Sequence, residues 1–144
     1  MAIRFEFDKV NRILLARVDG GLTDESLGDY YREIRRYSVL TDARAGVFDA
    51  SAVTQFAVTS EFVRRLAQGE PAMPDAQERP RIVVAPQTHA FGLARMFQIV
   101  GERKRPLFAV VRTMGEALGV LRAEAPEFKP INPSQFSDSG EIAS

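Results

Sequence analysis

The sequence predicts an α/β fold built on a mostly parallel five-stranded sheet that opens with an N-terminal β-hairpin. Three observations predict it. Ile3, Phe5 and Phe7 alternate with polar residues and a second strand-like run follows at once, the pattern of a half-buried antiparallel pair. Two later runs, Ile82-Val83-Val84-Ala85 and Leu107-Phe108-Ala109-Val110-Val111, are apolar at every position, as strands of a parallel sheet covered on both faces require. Segments of helical period separate the later strands, so the order reads ββαβαβαβα, joined by right-handed crossovers.

Each element has its own local reason. The second hairpin strand runs from Ile13 to Val18 and the pair is expected at a sheet edge, with Asp19-Gly20-Gly21 breaking the strand. Thr23 is placed as an N-cap, Asp24 and Glu25 favour the helix dipole in the first turn, and Leu22 and Leu27 have hydrophobic-staple spacing. Leu27, Tyr30, Tyr31 and Ile34 then form one apolar stripe on a helix reaching about Tyr37. Ala45 to Asp49 reads as a short strand, with Asp49 opening a loop.

Thr59 to Gln68 reads as a second helix, capped by Thr59, stapled by Val58 and Val63, and stopped by a left-handed Gly69. The stretch from Gly69 to Asp75, with Pro71 and Pro74, is a loop. The runs at residues 82–85 and 107–111 are expected at the centre of the sheet, with a third helix from His89 to about Val100 between them. Thr113 and Glu116 form a capping box that opens a fourth helix to about Ala123. Beyond Pro126 no period survives, yet Phe128, Ile131 and Phe136 are too apolar for a wholly solvated tail. The expected organisation is one domain over residues 1–125 and an extension over 126–144, its first part docked and its end mobile.

A chain of 144 residues, 45% hydrophobic and 26% charged, is the size and composition of one globular domain. Its 19 Lys and Arg balance 19 Asp and Glu, which leaves no net field to hold nucleic acid by counterion release. The short basic runs Arg35-Arg36, Arg64-Arg65 and Arg103-Lys104-Arg105 read as solvated helical faces. With no Cys there is no disulfide, thiolate nucleophile or sulfur-ligated metal. The N-terminal residues lack signal-peptide patterning and no apolar run reaches membrane-spanning length, so no transmembrane segment is expected and the expected location is cytoplasmic.

Chemistry-bearing motifs are sparse. His89 is the single histidine, no G-x-S-x-G elbow surrounds any serine, and neither phosphate-loop glycine pattern occurs. Asp42, Asp49, Glu61 and Asp75 lack metal-ligand spacing. The expectation is therefore no enzyme, no cofactor and no metal. Gln87, Thr88 and His89 do fall where a strand's C-terminal end meets a helix start, the edge at which α/β sheets bind ligands. With Phe91 and Arg95 further along that helix they form the candidate ligand-binding set, set against the plainer reading that Thr88 or His89 only caps the helix.

That third helix is apolar almost all round. Only Gly92, Arg95 and Gln98 break the run of Ala90, Phe91, Leu93, Ala94, Met96, Phe97, Ile99 and Val100, whereas a helix lying on one sheet face needs an apolar arc of roughly 100°. The surplus calls for a cover: the tail with Phe128 and Phe136, a second copy in a homodimer, or an apolar small molecule.

The segment Val84-Ala85-Pro86 leading into Ala90-Phe91-Gly92-Leu93-Ala94-Arg95-Met96, and the closing Thr113-Met114-Gly115-Glu116-Ala117-Leu118, resemble the SpoIIAA-like (STAS-like) family over about residues 2 to 124. The resemblance implies a right-handed β/α superhelix and non-enzymatic work: switching of a partner protein in anti-sigma-factor antagonists, lipid or small-molecule sensing in relatives. In the antagonists a serine in an Asp-Ser-Ser-Gly-type turn before the second helix is phosphorylated. Here the corresponding stretch is Phe56-Ala57-Val58-Thr59-Ser60-Glu61; it departs from that pattern in lacking the Asp and the Gly, but Thr59 and Ser60 carry hydroxyls at about the same place and are the phospho-switch candidates. The leading expectation is a regulatory or protein-interaction domain with an unidentified partner protein or a second copy of itself. The alternative is a small-molecule or lipid carrier with an apolar pocket beside the third helix.

Overall fold

The computed structural model describes residues 2–73 and 75–131. Pro74 of the proline loop, and Phe136 with the end of the extension, lie outside them. Strands β1 (Ala2–Asp8), β2 (Ile13–Thr23), β3 (Ala45–Ala57), β4 (Arg81–Val84), β5 (Phe108–Val111) and β6 (Lys129–Pro130) form one sheet. Their spatial order is β5-β4-β3-β2-β1-β6. The pairs β2·β3, β3·β4 and β4·β5 are parallel, while β1 lies antiparallel between β2 and β6. Helices α1 (Asp24–Thr41), α2 (Ser60–Gln68), α3 (Thr88–Val100) and α4 (Met114–Val120) fill the connections.

Strand alternation divides the core. Ile13, Leu15, Val47, Ile82 and Val84 pack with Ala117 and Leu118 of α4 on one face, joined by Phe128 of the extension. Leu14 turns to the opposite face and meets Ile34 and Tyr37 of α1. Val18 and Val53 on that face meet Val63 of α2 and Leu93 and Phe97 of α3. Three helices thus cover one side, and α4 with the start of the extension covers the other.

Several expectations are corrected. Asp19-Gly20-Gly21 does not end the second strand: β2 continues to Thr23 along β3, and the ladder absorbs the change through register shifts after Arg17 and after Gly20. Gly20 takes φ 72°, a left-handed conformation that glycine adopts without Cβ strain. β3 is correspondingly long. Asp49 lies inside it rather than opening a loop, and its carboxylate accepts the Ser51 N–H at 3.0 Å where Ala50 and Ser51 bulge opposite Val18. Parallel pairing with β3 puts β2 in the sheet interior, while β1 stays near the edge, covered on its outer side only at Glu6 and Phe7 by β6. β4 is interior, paired with β3 and β5, whereas β5 is an edge strand, contrary to the central place inferred from its apolar run.

Helix ends differ for local reasons. Thr23 caps α1 as expected, accepting the Ser26 N–H at 3.1 Å while Ser26 Oγ accepts the Thr23 N–H at 2.9 Å. The helix runs on to Thr41 and stops at Asp42, which is left-handed at φ 50°. Gly69 ends α2 in an extended conformation, φ −82° and ψ −177°, not a left-handed one. Thr113 caps α4 through the Glu116 N–H at 3.1 Å, and that helix ends at Val120, short of Ala123. The sheet gains a sixth strand because Lys129-Pro130 pairs with Phe7 and Glu6, a register that no periodicity in two residues can announce.

Candidate functional site

The start of α3 is built as a plain junction. Gln87, not Thr88 or His89, holds the N-cap position, and it makes no side-chain cap bond. Its Nε2 instead donates to the Val53 carbonyl at 3.0 Å, which ties the β4–α3 turn to β3, and its Oε1 is buried without a partner among the described residues. Thr88 and His89 are exposed. Phe91 lies under the Arg112 guanidinium, 4.1 Å from the ring centre, and Arg95 reaches along the helix to Gln98. Thr88, Phe91 and Arg95 share one outward face, so these residues do not converge on a common point.

The opposite face of α3 does line a cavity. Ala90, Leu93, Ala94 and Phe97 look onto a partly open pocket of about 160 Å³ between the sheet and helices α1, α2 and α3. Phe48 and Val83 form its floor, and Leu27, Tyr30 and Val63 close it from α1 and α2. Nearly all of its wall is hydrocarbon.

Two cations border the cavity, Arg81 and Arg105. Arg105 is only 5% exposed, which corrects its reading as part of a solvated basic run. Its Nη1 donates to the Ala67 carbonyl at 2.9 Å, and its Nη2 to Tyr31 Oη at 2.6 Å and the Leu66 carbonyl at 3.1 Å. The guanidinium also lies 4.6 Å from the Phe97 ring centre. Lys104 Nζ takes the next carbonyl, that of Gln68, at 2.8 Å, and the Gly69 N–H serves Arg65 and Leu66. The last four carbonyls of α2, orphans by helix geometry, are thereby all satisfied. Arg105 is a buried helix C-cap that only the fold could reveal.

Arg81 sends Nε to Met73 Sδ at 2.7 Å and Nη1 to the Pro80 carbonyl at 2.8 Å. Burial pulls it down to about 10 against the favourable presence of Tyr30. Tyr30 itself is held edge-on to Phe48 at 4.6 Å between ring centres and stacks toward Phe5 at 6.3 Å. Desolvation raises its hydroxyl well above the usual tyrosine range, partly offset by Arg81.

At the start of α2, Thr59 is exposed and doubly engaged. Its Oγ1 accepts the Phe62 N–H at 3.2 Å and donates to Asp24 Oδ2 at 2.8 Å, while its N–H reaches Asp24 Oδ1 at 2.8 Å. One carboxylate in the first turn of α1 thus clasps the first turn of α2. Ser60 beside it is exposed. Among the described residues, no three His, Cys, Asp or Glu side chains are placed to hold a metal ion, and no helix is long and apolar enough to cross a membrane.

No protein-family model matches this chain, and no curated protein matches its sequence. Comparison with solved structures finds the anti-sigma factor antagonist SpoIIAA in its unphosphorylated form, aligned over 84% of this chain and 96% of that one at a TM-score of 0.53. The chain has the SpoIIAA fold. Identity over the alignment is 17%, so what is shared is the backbone architecture: the hairpin, the parallel strands and the helices between them.

Proposed function

We propose that this chain is a non-catalytic regulatory domain that works by docking a partner protein. The fold likeness to an antagonist protein supports the class. The observation that carries it is the unfinished outer end of α3. Of that helix only Ala90 is buried, while Ile99 and Val100 keep 60% and 41% of their surface and Leu107, across the short connection to β5, keeps 43%. An apolar cluster beside an open sheet edge is a surface that partners cover. The edge is blunted against indiscriminate strand pairing, because Gln98 Nε2 already occupies the Phe108 carbonyl at 2.8 Å.

A photo-crosslinking residue at Ile99 tests this in cells, with one at Val10, which is 85% exposed on the hairpin turn, as the control. A discrete adduct from position 99 alone is the expected result, and an adduct of twice the chain mass makes the partner a second copy. Adducts from neither position, or equally from both, remove the proposal.

Thr59 is the position at which such docking would be regulated. A phosphate on its hydroxyl brings two negative charges against the Asp24 carboxylate and breaks the clasp between α1 and α2, changing the surface the two helix starts present. Ser60, in the first turn, is the second candidate. Kinase treatment followed by peptide mapping decides between them, and phosphate on neither residue removes the switch. A second reading, a small-molecule carrier, is favoured by the cavity against α3; Gln87, Thr88, His89, Phe91 and Arg95 would then belong to its outer approach rather than to its wall.

A further inference from the structure

Charge is spread unevenly along a chain whose formal net charge is zero. Between Glu78 and Glu116 the sequence places seven Lys and Arg and one acidic residue, Glu102. That stretch folds as β4, α3 and β5, so the positive excess belongs to the flank of the sheet that ends in the bare β5 edge. Arg105 is buried under α2, but Arg95, Arg103 and Arg112 are exposed on this flank. None of the three forms an ion pair with a carboxylate among the described residues. Their positions frame the apolar cluster and the helix face that leads to it. Arg95 stands one helical turn before Ile99, on the same side of α3. Arg103 lies in the connection that runs from Val100 to Leu107, and Arg112 covers Phe91 near the start of the helix. An aliphatic centre with arginines at its rim is the composition of a protein-docking face, and the sign of the rim names its complement.

We propose that the partner docked at the outer end of α3 is an acidic protein surface, an apolar patch fringed by Asp and Glu whose carboxylates meet Arg95 and Arg103, with Arg112 extending the contact toward the start of the helix. This rests on the docking reading and names the chemistry of the partner. A second copy that used the same patch about a two-fold axis would set these arginines against their own counterparts. Nucleic acid takes a polar and strongly basic face, whereas the centre of this one is Ile99, Val100 and Leu107. Rim charges of this kind act mostly on the rate of encounter and on the choice of partner, while the aliphatic centre supplies the contact.

The photo-crosslinking residue at Ile99, irradiated in cell extract, tests this in the otherwise native full chain and in three further backgrounds. Arg95→Glu with Arg103→Glu reverses the rim, and Glu102→Gln removes its one acid. Arg35→Glu with Arg36→Glu makes the same change of net charge on α1, which packs over β1 and β2 away from the β5 edge. Reversal of the rim is expected to lower the adduct about tenfold or more, the lower end of what charge steering contributes to association. Glu102→Gln should raise it, a gain that unfolding cannot produce, and the α1 pair should leave it unchanged. The partner peptide in the adduct, read by mass spectrometry, should be rich in Asp and Glu. An adduct that neither change of rim charge moves, or that is lost equally in the α1 pair, overturns the acidic partner and leaves docking in place. An adduct that disappears with nuclease, that carries lipid or that has twice the chain mass overturns it by naming another occupant. No adduct from position 99 in the native background removes the docking reading itself, and this inference with it.

Discussion

Replacing Arg105 with Met should be among the most damaging single changes in the chain. Its long methylene stem is retained in kind, so the lost quantity is the charged fork: bonds to Ala67, Leu66 and Tyr31 and a longer one to the Gly69 carbonyl at 3.3 Å, together with the contact over Phe97. A hydrogen bond to a charged group contributes about 1.5–3 kcal/mol, and bonds to one fork are not additive. Leu66 retains its bond from the Gly69 N–H, so the carbonyl truly orphaned is Ala67, at about 1–3 kcal/mol. Removal of the guanidinium also recovers part of its own burial cost. The net expectation is a loss of roughly 3 kcal/mol. Urea unfolding followed by far-UV circular dichroism measures it, with Arg105→Lys as the control that keeps charge but not the fork. The Lys variant should fall between the two. A Met variant within 1 kcal/mol of the native protein would refute the assignment of Arg105 as the cap of α2.

Other consequences are equally direct. Gly20→Ala forces a Cβ into φ 72° at the β2 bulge and should cost about 1–2 kcal/mol in urea unfolding, whereas Gly92→Ala, on an exposed helical position with nothing within 4 Å, should be neutral or stabilising. Truncation of Leu14, fully buried between β2 and α1, to Ala should cost about 2–5 kcal/mol by the same assay. Hydrogen bonds from Arg79 and Arg12 lower the Asp42 pKa below 3.8 in the folded chain. Asp42 therefore contributes stability above that pH, and the contribution disappears as pH falls through the lowered folded value. Asp42→Asn tolerates the left-handed φ and should flatten that acid limb in a series of urea midpoints; an unchanged slope would count against the Arg12–Asp42–Arg79 cluster.

How much of this was legible in the sequence follows from the range of each interaction. Caps and staples are local: Thr23, Thr59 and Thr113 bond to amides three residues on, so their positions alone announce the helix starts. Strand extent is not local. The glycines after Asp19 look like a break until β3 lies alongside to pair with them, and an apolar run such as residues 107–111 looks central because both faces are covered, although one edge is bare. The candidate set at the start of α3 shared a sequence neighbourhood, yet the 100° turn per residue sends Thr88, Phe91 and Arg95 one way and Ala90, Leu93 and Phe97 the other. Excess apolarity in α3 was the one legible signal of the cavity, because surplus hydrophobic surface is visible in composition before any partner is known.

By itself, then, the sequence determined the α/β class, the threonine-capped starts of α1, α2 and α4 and the absence of Cys-based chemistry, since these depend on residue type and short spacing. Tertiary structure alone decided the strand order, the burial of Arg105 under α2 and the clasp of Thr59 by Asp24. Those two contacts span 35 and 38 positions, where contact is set by how the sheet stacks its helices and no pattern along the chain encodes it.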